Sequence, residues 1–191
     1  MDIEDAIYKR RTIRRFKQDP IPIKTLKKLV DFARLAPAGS NIQSIEYIII
    51  HSPEMTEKIF PFVRWAASLP KKDREPEIFR RPTAYILVLL NTDIKQSYFE
   101  YDIGAAVENI LLGAMNFNIG SCWMGSFNGR KIRKLLEIPD SYEITHVISL
   151  GYPDEESVVE PYKDSFKYWK DEDKIMHIPK RDINDIIFKI I

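Results

Sequence analysis

Arg10-Arg11-Thr12-Ile13-Arg14-Arg15-Phe16 packs four arginines into seven residues and interrupts them with a hydroxyl, a β-branched apolar side chain and an aromatic. A guanidinium is a planar fork of donors that meets phosphate oxygens two at a time, and Thr12 adds another donor. Upstream, residues 2–9 read as a short helix, acidic in its first turn, with Ile3, Ala6 and Ile7 on one face. The arginines then fall at the helix end or in the turn after it, placed to grip a small anion. The same run also fits a solvated basic turn, because short basic clusters carry little specificity alone.

Composition narrows the partners. A chain of 191 residues is long enough for one domain with its own core, and 45% hydrophobic against 30% charged residues is an ordinary globular balance. The formal net charge is +1, so no global field argues for nucleic acid or an acidic membrane surface, and the arginine cluster is a local feature. No apolar run approaches the ~18 residues of a membrane span. Met1-Asp2-Ile3-Glu4-Asp5 lacks the pattern of a signal peptide, and one cysteine, Cys122, cannot build an internal disulfide framework. These features point to a reducing, cytoplasmic setting. His51, His146 and His177 lie too far apart in sequence for a metal-binding spacing; strands are expected to bury His51 and His146 as ordinary core or edge residues, and Cys122 beside Trp123 reads as a small buried hydrophobe rather than a nucleophile.

Moving outward, residues 25–36 form an amphipathic pattern that Pro37 ends. The next stretch, Ala36-Pro37-Ala38-Gly39-Ser40-Asn41-Ile42-Gln43, is small and polar, suited to close approach of a ligand as well as to a plain loop. Residues 46–51 and 84–91 read as strands, the second apolar on both faces. Between them, residues 61–82 form a long irregular excursion of the kind that serves as a lid or a substrate-facing element. Residues 99–118 are a long small-sided helix, with Gly120 as its expected stop. Gly120-Ser121-Cys122-Trp123-Met124-Gly125-Ser126-Phe127 should be a short strand running into a loop, with Asn128 capping the helix that follows. A further strand over 143–150 closes at Gly151-Tyr152-Pro153. The expected domain is a single one over 1–191. Within it, polar residues 160–180 carry an isoleucine stripe, Ile183, Ile186, Ile187 and Ile190, away from their own core.

The arginine stretch, the Pro37–Gln43 loop, the Gly120–Phe127 stretch and Gly151-Tyr152-Pro153 occur in an order and spacing that resembles the nitroreductase family of FMN-dependent oxidoreductases. The resemblance runs from about residue 3 to 153. It implies an α+β fold, a mixed and antiparallel-rich sheet flanked by helices, in an intertwined homodimer with FMN at the subunit interface. It matches Arg10, Arg11 and Thr12 to the positions holding the phosphate and ribityl chain, and Arg14 to the basic position near the pyrimidine edge of the flavin. It matches Pro37, Ala38, Gly39, Ser40, Asn41 and Gln43 to the loop that reaches the cofactor from the other subunit. Gly125 and Ser126 match the loop under the flavin N5 edge. Two departures stand out. Gln43-Ser44-Ile45 replaces the frequent Gln-Pro-Trp, and the basic pair after the Gly-Tyr-Pro turn has Lys163 and Lys167 as its nearest counterparts.

The function so implied is reduction of nitroaromatics, quinones or a related small-molecule acceptor by NAD(P)H, with ping-pong hydride transfer through flavin N5. Arg14 would tune the reduced flavin, with no side chain acting as an acid or base. The alternative is a flavin carrier or sensor without turnover on the same fold. The chain has no dinucleotide-binding fingerprint, so NAD(P)H would bind transiently. Residues 160–191 are expected to dock on the partner subunit.

Overall fold

The computed structural model describes residues 1–94 and 97–191. Helix α1 spans Ile3–Lys9, its first turn capped by Asp2, whose carboxylate accepts from the Asp5 N–H at 2.8 Å. Strand β1 is Phe16–Lys17 and helix α2 is Ile23–Arg34. Strand β2, Ile45–Ile50, leads into helix α3, Pro53–Ile59, and the excursion after it holds a short helix α4, Lys71–Arg74. Strand β3 is Ala84–Asn91, helix α5 Phe99–Met115, strand β4 Gly120–Met124, helix α6 Gly129–Leu136 and strand β5 Tyr142–Pro153. Strands β6 (Ser157–Pro161), β7 (Trp169–Lys170) and β8 (Met176–Lys180) precede the single turn of helix α7, Ile183–Ile186.

The main sheet is organised on β5. It pairs with β3 on one side, and on the other first with β4 and then, at its end, with β1; β2 is the outer neighbour of β3, and every one of these pairings is antiparallel. Alternation along β3 divides the core. Ala84, Ile86 and Val88 face α2 and α5, while Tyr85, Leu87 and Leu89 face the layer that includes Ile59 of α3 and Ile132 of α6. Helices on both faces of an antiparallel-rich sheet make the fold α+β. The small second sheet contributes the parallel β6–β8 pairing, which makes the whole mixed.

The expected strands and helices fall where the periodicity puts them, with four corrections. The Gly151-Tyr152-Pro153 stretch does not close β5 but continues it, because Pro153 and Tyr152 pair with Phe16 and Lys17. Gly120 is not a helix stop: α5 ends through Asn118 in the left-handed region (φ 54°), and Gly120 is the first residue of β4. A Cβ on Gly120 would lie 2.9 Å from Ile13 Cβ, and one on Gly151 would lie 2.7 Å from Phe16 Cβ. Both glycines are there so that the arginine segment can lie against the sheet. His51 is exposed just past β2 rather than buried in it, and His146 is only half-buried. The isoleucine stripe does not ride one long helix, since only residues 183–186 are helical and the backbone turns extended at Ile187.

Residues 160–180 were legible only as polar sequence. They fold into the second sheet and press Met176, fully buried, against Ala66 and Leu69 of the same chain. His177 sits between two carboxylates, Glu160 Oε2 at 3.2 Å from Nδ1 and Asp171 Oδ2 at 3.1 Å from Nε2, and Trp169 stacks on its ring at 4.2 Å. No helix among the described residues is long and apolar enough to cross a membrane.

Two outcomes follow from this packing. Gly151→Ala forces Phe16, fully buried, off its seat; overpacking of this kind costs ~1–3 kcal/mol, so chemical denaturation should show a lower midpoint at unchanged slope. The hydrogen bond that the His177 ring donates to Asp171, reinforced by Glu160, raises the His177 pKa above its ordinary value, so this cluster stabilises the tail sheet fully below about pH 6.5 and loses that contribution as pH rises through the higher folded value. An NMR titration of the His177 ring should give a midpoint above about 6.5; one at or below it refutes the pairing.

Candidate functional site

The arginine segment leaves α1 extended and lies in the sheet. The Ile13 N–H donates to the Ser121 carbonyl at 2.9 Å, Thr12 bridges Ser121 in parallel, and Phe16 joins β5 three residues on. Extended backbone alternates its side chains. Ile13 and Phe16 are buried, and Arg15 is buried too, at 5% exposure. Arg10, Arg11, Thr12 and Arg14 remain partly accessible.

Arg15 was not singled out from the sequence, and it is the residue that fixes the segment. Its Nε donates to Glu77 Oε2 at 2.8 Å, and its Nη1 lies 3.6 Å from Glu155 Oε2. Its Nη2 reaches the carbonyls of Asp73 and Glu75, both at 3.3 Å. Glu155, whose side chain is 3% exposed, also accepts the Arg14 N–H at 2.6 Å and pairs with Lys170 at 3.0 Å. The tail cation in this cluster is therefore Lys170, in β7, while Lys163 is exposed between β6 and β7. The signal available in sequence was the acid run Asp154-Glu155-Glu156 directly after β5, opposite a basic run.

The remaining arginines are less balanced. Arg10 Nε is 3.4 Å from Glu108 on α5. Arg11 has no carboxylate ion pair among the described residues and donates to the Arg10 carbonyl. Burial, and then the charge of Arg10, lower the Arg11 pKa below its ordinary value. Arg14 lies over the Tyr168 ring at 4.8 Å, and its Nη1 is buried without a hydrogen-bond partner. It also faces Cys122, whose thiol is pushed up by burial and pulled down by the Arg14 charge. Cys122 is accordingly a buried apolar side chain, as expected.

Gly125 and Ser126 are exposed in the loop after β4. The Ser126 carbonyl accepts the Arg64 N–H at 3.0 Å, Asn128 N–H donates to Phe62 O at 2.7 Å, and Val63 bridges Phe127. The excursion is thus stitched to this loop. Asn128 caps α6 by accepting the Lys131 N–H. Beneath Gly125 lies His146, a residue with no signal in the sequence. It meets Trp123 edge-on at 5.2 Å, and burial lowers its pKa, so it is neutral near pH 7. A register shift places it here: Thr145 is the extra residue of β5 against Val88 and Leu89, and its hydroxyl donates to Val88 O at 3.0 Å.

The loop of Pro37, Ala38, Gly39, Ser40, Asn41 and Gln43 stands apart. The Asp102 carboxylate on α5 accepts the Gly39 N–H at 3.0 Å, and Gln43 Nε2 donates to Asn41 O. Ser40, Asn41 and Gln43 all have positive φ, 50°, 55° and 55°. Such strain in non-glycine residues persists where the surroundings over-determine it, and it clusters at ligand-binding segments. Its residues Pro37, Ala38 and Gln43 border a cavity of 340 Å³ against α2, β2 and α5. Within one chain, then, the arginines, β4, β5 and the Gly125-Ser126 loop form one constellation, and the 37–43 loop forms another, anchored on α5.

Comparison with known proteins gives the family. The sequence model of the Nitroreductase family matches residues 7–152. A relative from Archaeoglobus fulgidus, named "Putative NADH dehydrogenase/NAD(P)H nitroreductase", is 32% identical over 159 residues, 78% of this chain and 84% of its own length. One of the same name from Methanothermobacter thermautotrophicus is 30% identical over 161 residues, 81% of this chain and 79% of its own. Among solved structures, a nitroreductase family protein from Clostridium novyi NT superposes with a TM-score of 0.66 at 26% identity, over 80% of this chain and 87% of that one. A "putative nitroreductase in complex with FMN" from Desulfovibrio desulfuricans superposes with a TM-score of 0.71 at 20% identity, over 100% and 98%. With the fold, the sequence match and the order of these segments in agreement, the chain belongs to the nitroreductase family.

Proposed function

We propose that this protein is an FMN-dependent oxidoreductase that uses NAD(P)H to reduce a small-molecule acceptor such as a nitroaromatic or a quinone, and that it works as a homodimer. The observation that carries the reading is the Arg10–Arg11 pair. Arg10 has one carboxylate, Glu108, beside it, the adjacent Arg11 pairs with none among the described residues, and the Arg11 charge is disfavoured where it stands. A dianionic phosphate relieves that repulsion, and Thr12 beside them adds a hydroxyl donor. The residues present therefore fit FMN. Arg10, Arg11 and Thr12 would hold its phosphate, and the orphaned Nη1 of Arg14 offers a donor and a fixed cation to its pyrimidine edge. Backbone N–H groups of Gly125 and Ser126 would orient the N5 edge. When bound, FMN supplies a two-electron carrier between a nicotinamide and an acceptor. One open face used in turn by both substrates gives ping-pong kinetics.

The protein's own part is positioning and electrostatics. The Arg15–Glu155–Lys170 cluster locks the backbone beneath Arg14, and the stitching of residues 62–64 to 126–128 holds the excursion against the loop. The neutral His146 ring can take part in a hydrogen bond beside Gly125 without adding charge. The strained loop 37–43 would complete the partner subunit's site.

Several surfaces support the dimer. Gly104 on α5 has open space where a Cβ would stand. Ile3, Ile7 and Tyr8 of α1 are 73%, 55% and 70% exposed. Beyond β8, Ile183, Ile186, Phe188 and Ile190 are all exposed in the single chain. Because residues 157–180 already pack on their own subunit, the arm that reaches the partner is the shorter segment 181–191.

Arg10→Ala or Arg11→Ala removes a charge-assisted pair worth ~1.5–3 kcal/mol, so FMN affinity should fall roughly ten- to a hundredfold in equilibrium titrations. Variants that copurify with full flavin and bind FMN as before would sink the assignment. Burying one isoleucine is worth ~1.5–3 kcal/mol, so deleting residues 181–191 should weaken the dimer and FMN retention together. Light scattering combined with flavin absorbance checks this, and a truncated chain that stays dimeric and loaded at low micromolar concentration overturns the arm. For the function as a whole, the yellow protein should bleach with NADH or NADPH and re-oxidise with a nitroaromatic or quinone. Flavin that binds but never bleaches would leave a carrier.

A further inference from the structure

We propose that the cavity beside Ser126 is an anion-recognition subsite, so that the redox substrate used here carries a carboxylate or phosphate group, held by Arg64, Lys71 and Lys72. This deepens the oxidoreductase reading above and rests on it.

The cavity measures 670 Å³ and is bounded by residues 64–75 of the excursion on one side and by Ser126 on the other. Four of its eight lining residues are cations, Arg64, Lys71, Lys72 and Arg74, and Glu75 is the single carboxylate. Against a whole-chain charge of +1, that is a local concentration of positive charge. Arg74 is used within the fold, its Nε donating to Leu69 O at 2.7 Å. Arg64, Lys71 and Lys72 have no ion-pair partner among the described residues. Converging cations on a concave surface focus the field and raise the local concentration of anions.

Two further features separate this patch from a solvated charged face. The patch is rooted, because Val63 and Trp65 are 2% and 4% exposed and the Arg64 N–H is bonded to the Ser126 carbonyl. It therefore stands at a fixed distance from the Gly125-Ser126 loop. In addition, Trp65 lines the cavity with its Nε1 buried and without a hydrogen-bond partner, an uncharged donor left over in the wall. A carboxylate or phosphate entering the cavity would meet these cations.

Two sources of such a group are chemically equivalent, an acidic substituent on the electron acceptor and the 2′-phosphate of NADPH. Ping-pong kinetics separates them, since kcat/KM is measured independently for each half-reaction. The FMN-loaded protein is assayed with 4-nitrobenzoate against 4-nitrobenzamide, and with NADPH against NADH. In at least one pair the anionic member should be favoured. The double variant Lys71→Gln/Lys72→Gln should reduce that preference about tenfold, with Arg64→Gln acting in the same direction. The neutral member and the FMN content should be unchanged. Raising ionic strength from about 0.01 M to about 1 M shortens the screening length from ~30 Å to ~3 Å and should erode the preference of the unaltered protein. The pair that responds identifies the source. Equal preference in both pairs, equal loss for neutral and anionic members, or loss of FMN from the variants overturns the proposal. Calorimetric titration with benzoate against benzamide, and with inorganic phosphate, reads the subsite without turnover. Anion binding that the variants abolish supports it even if the protein proves not to turn over, and no anion preference refutes it.

Discussion

A buried carboxylate, Glu155, holds the molecule together at the place where its chemistry is assembled. With 3% of its side chain exposed, it faces Arg15, Lys170 and the Arg14 N–H at once. A lone carboxylate so deep would cost several kcal/mol to desolvate, and only good geometry with compensating cations repays that. Three separate regions meet around it. Arg15 belongs to the N-terminal segment and Lys170 to the tail sheet. Through the other side of Arg15, the excursion is drawn in by Glu77 and by the carbonyls of residues 73 and 75. The glycines at 120 and 151 make the arrangement sterically possible by admitting Ile13 and Phe16 against the strands.

This dependence explains how the accessible arginines differ from a solvated basic turn. Their backbone is part of the sheet, so the direction of each side chain is fixed before any ligand arrives. Electrostatic preorganisation of that kind costs no rearrangement at the moment of binding. The same clamp positions the excursion, whose basic residues stand over Ser126. The strained 37–43 loop is held by a different element, α5, and α5 also carries Glu108, the counter-charge of Arg10. One helix thus bridges the two constellations that a dimer would bring together across its interface.

Much of the fold was legible in sequence because its signals are local. The apolar run 84–91 could only be a buried central strand, and the small-sided pattern of α5 and the Asn128 cap follow from spacing alone. The arginines, the 37–43 loop and the 120–127 stretch were legible through their order. What escaped was non-local. Whether a glycine serves a turn or a close approach depends on what lies across the sheet, which is why Gly120 read as a stop. Arg15 looked like its neighbours because its partners are more than 60 residues away in either acid, Glu77 or Glu155. The tail sheet has short strands in polar sequence, and only Met176 and its seat on Ala66 and Leu69 explain it. His146 came into view only through an irregularity of register that no periodicity announces.

The shared carboxylate also constrains how this sequence can change over evolutionary time. Losing Glu155 alone leaves two cations facing each other in a dry place, and losing Arg15 alone strands a buried anion. Neither Lys170 nor Glu77 can drift to the opposite charge without the same conflict. Viable descendants must therefore pass through paired replacements, or replace the whole set with apolar side chains at once. The tail sheet and the excursion, distant in sequence and free to vary along most of their length, are bound to a common history at these four positions.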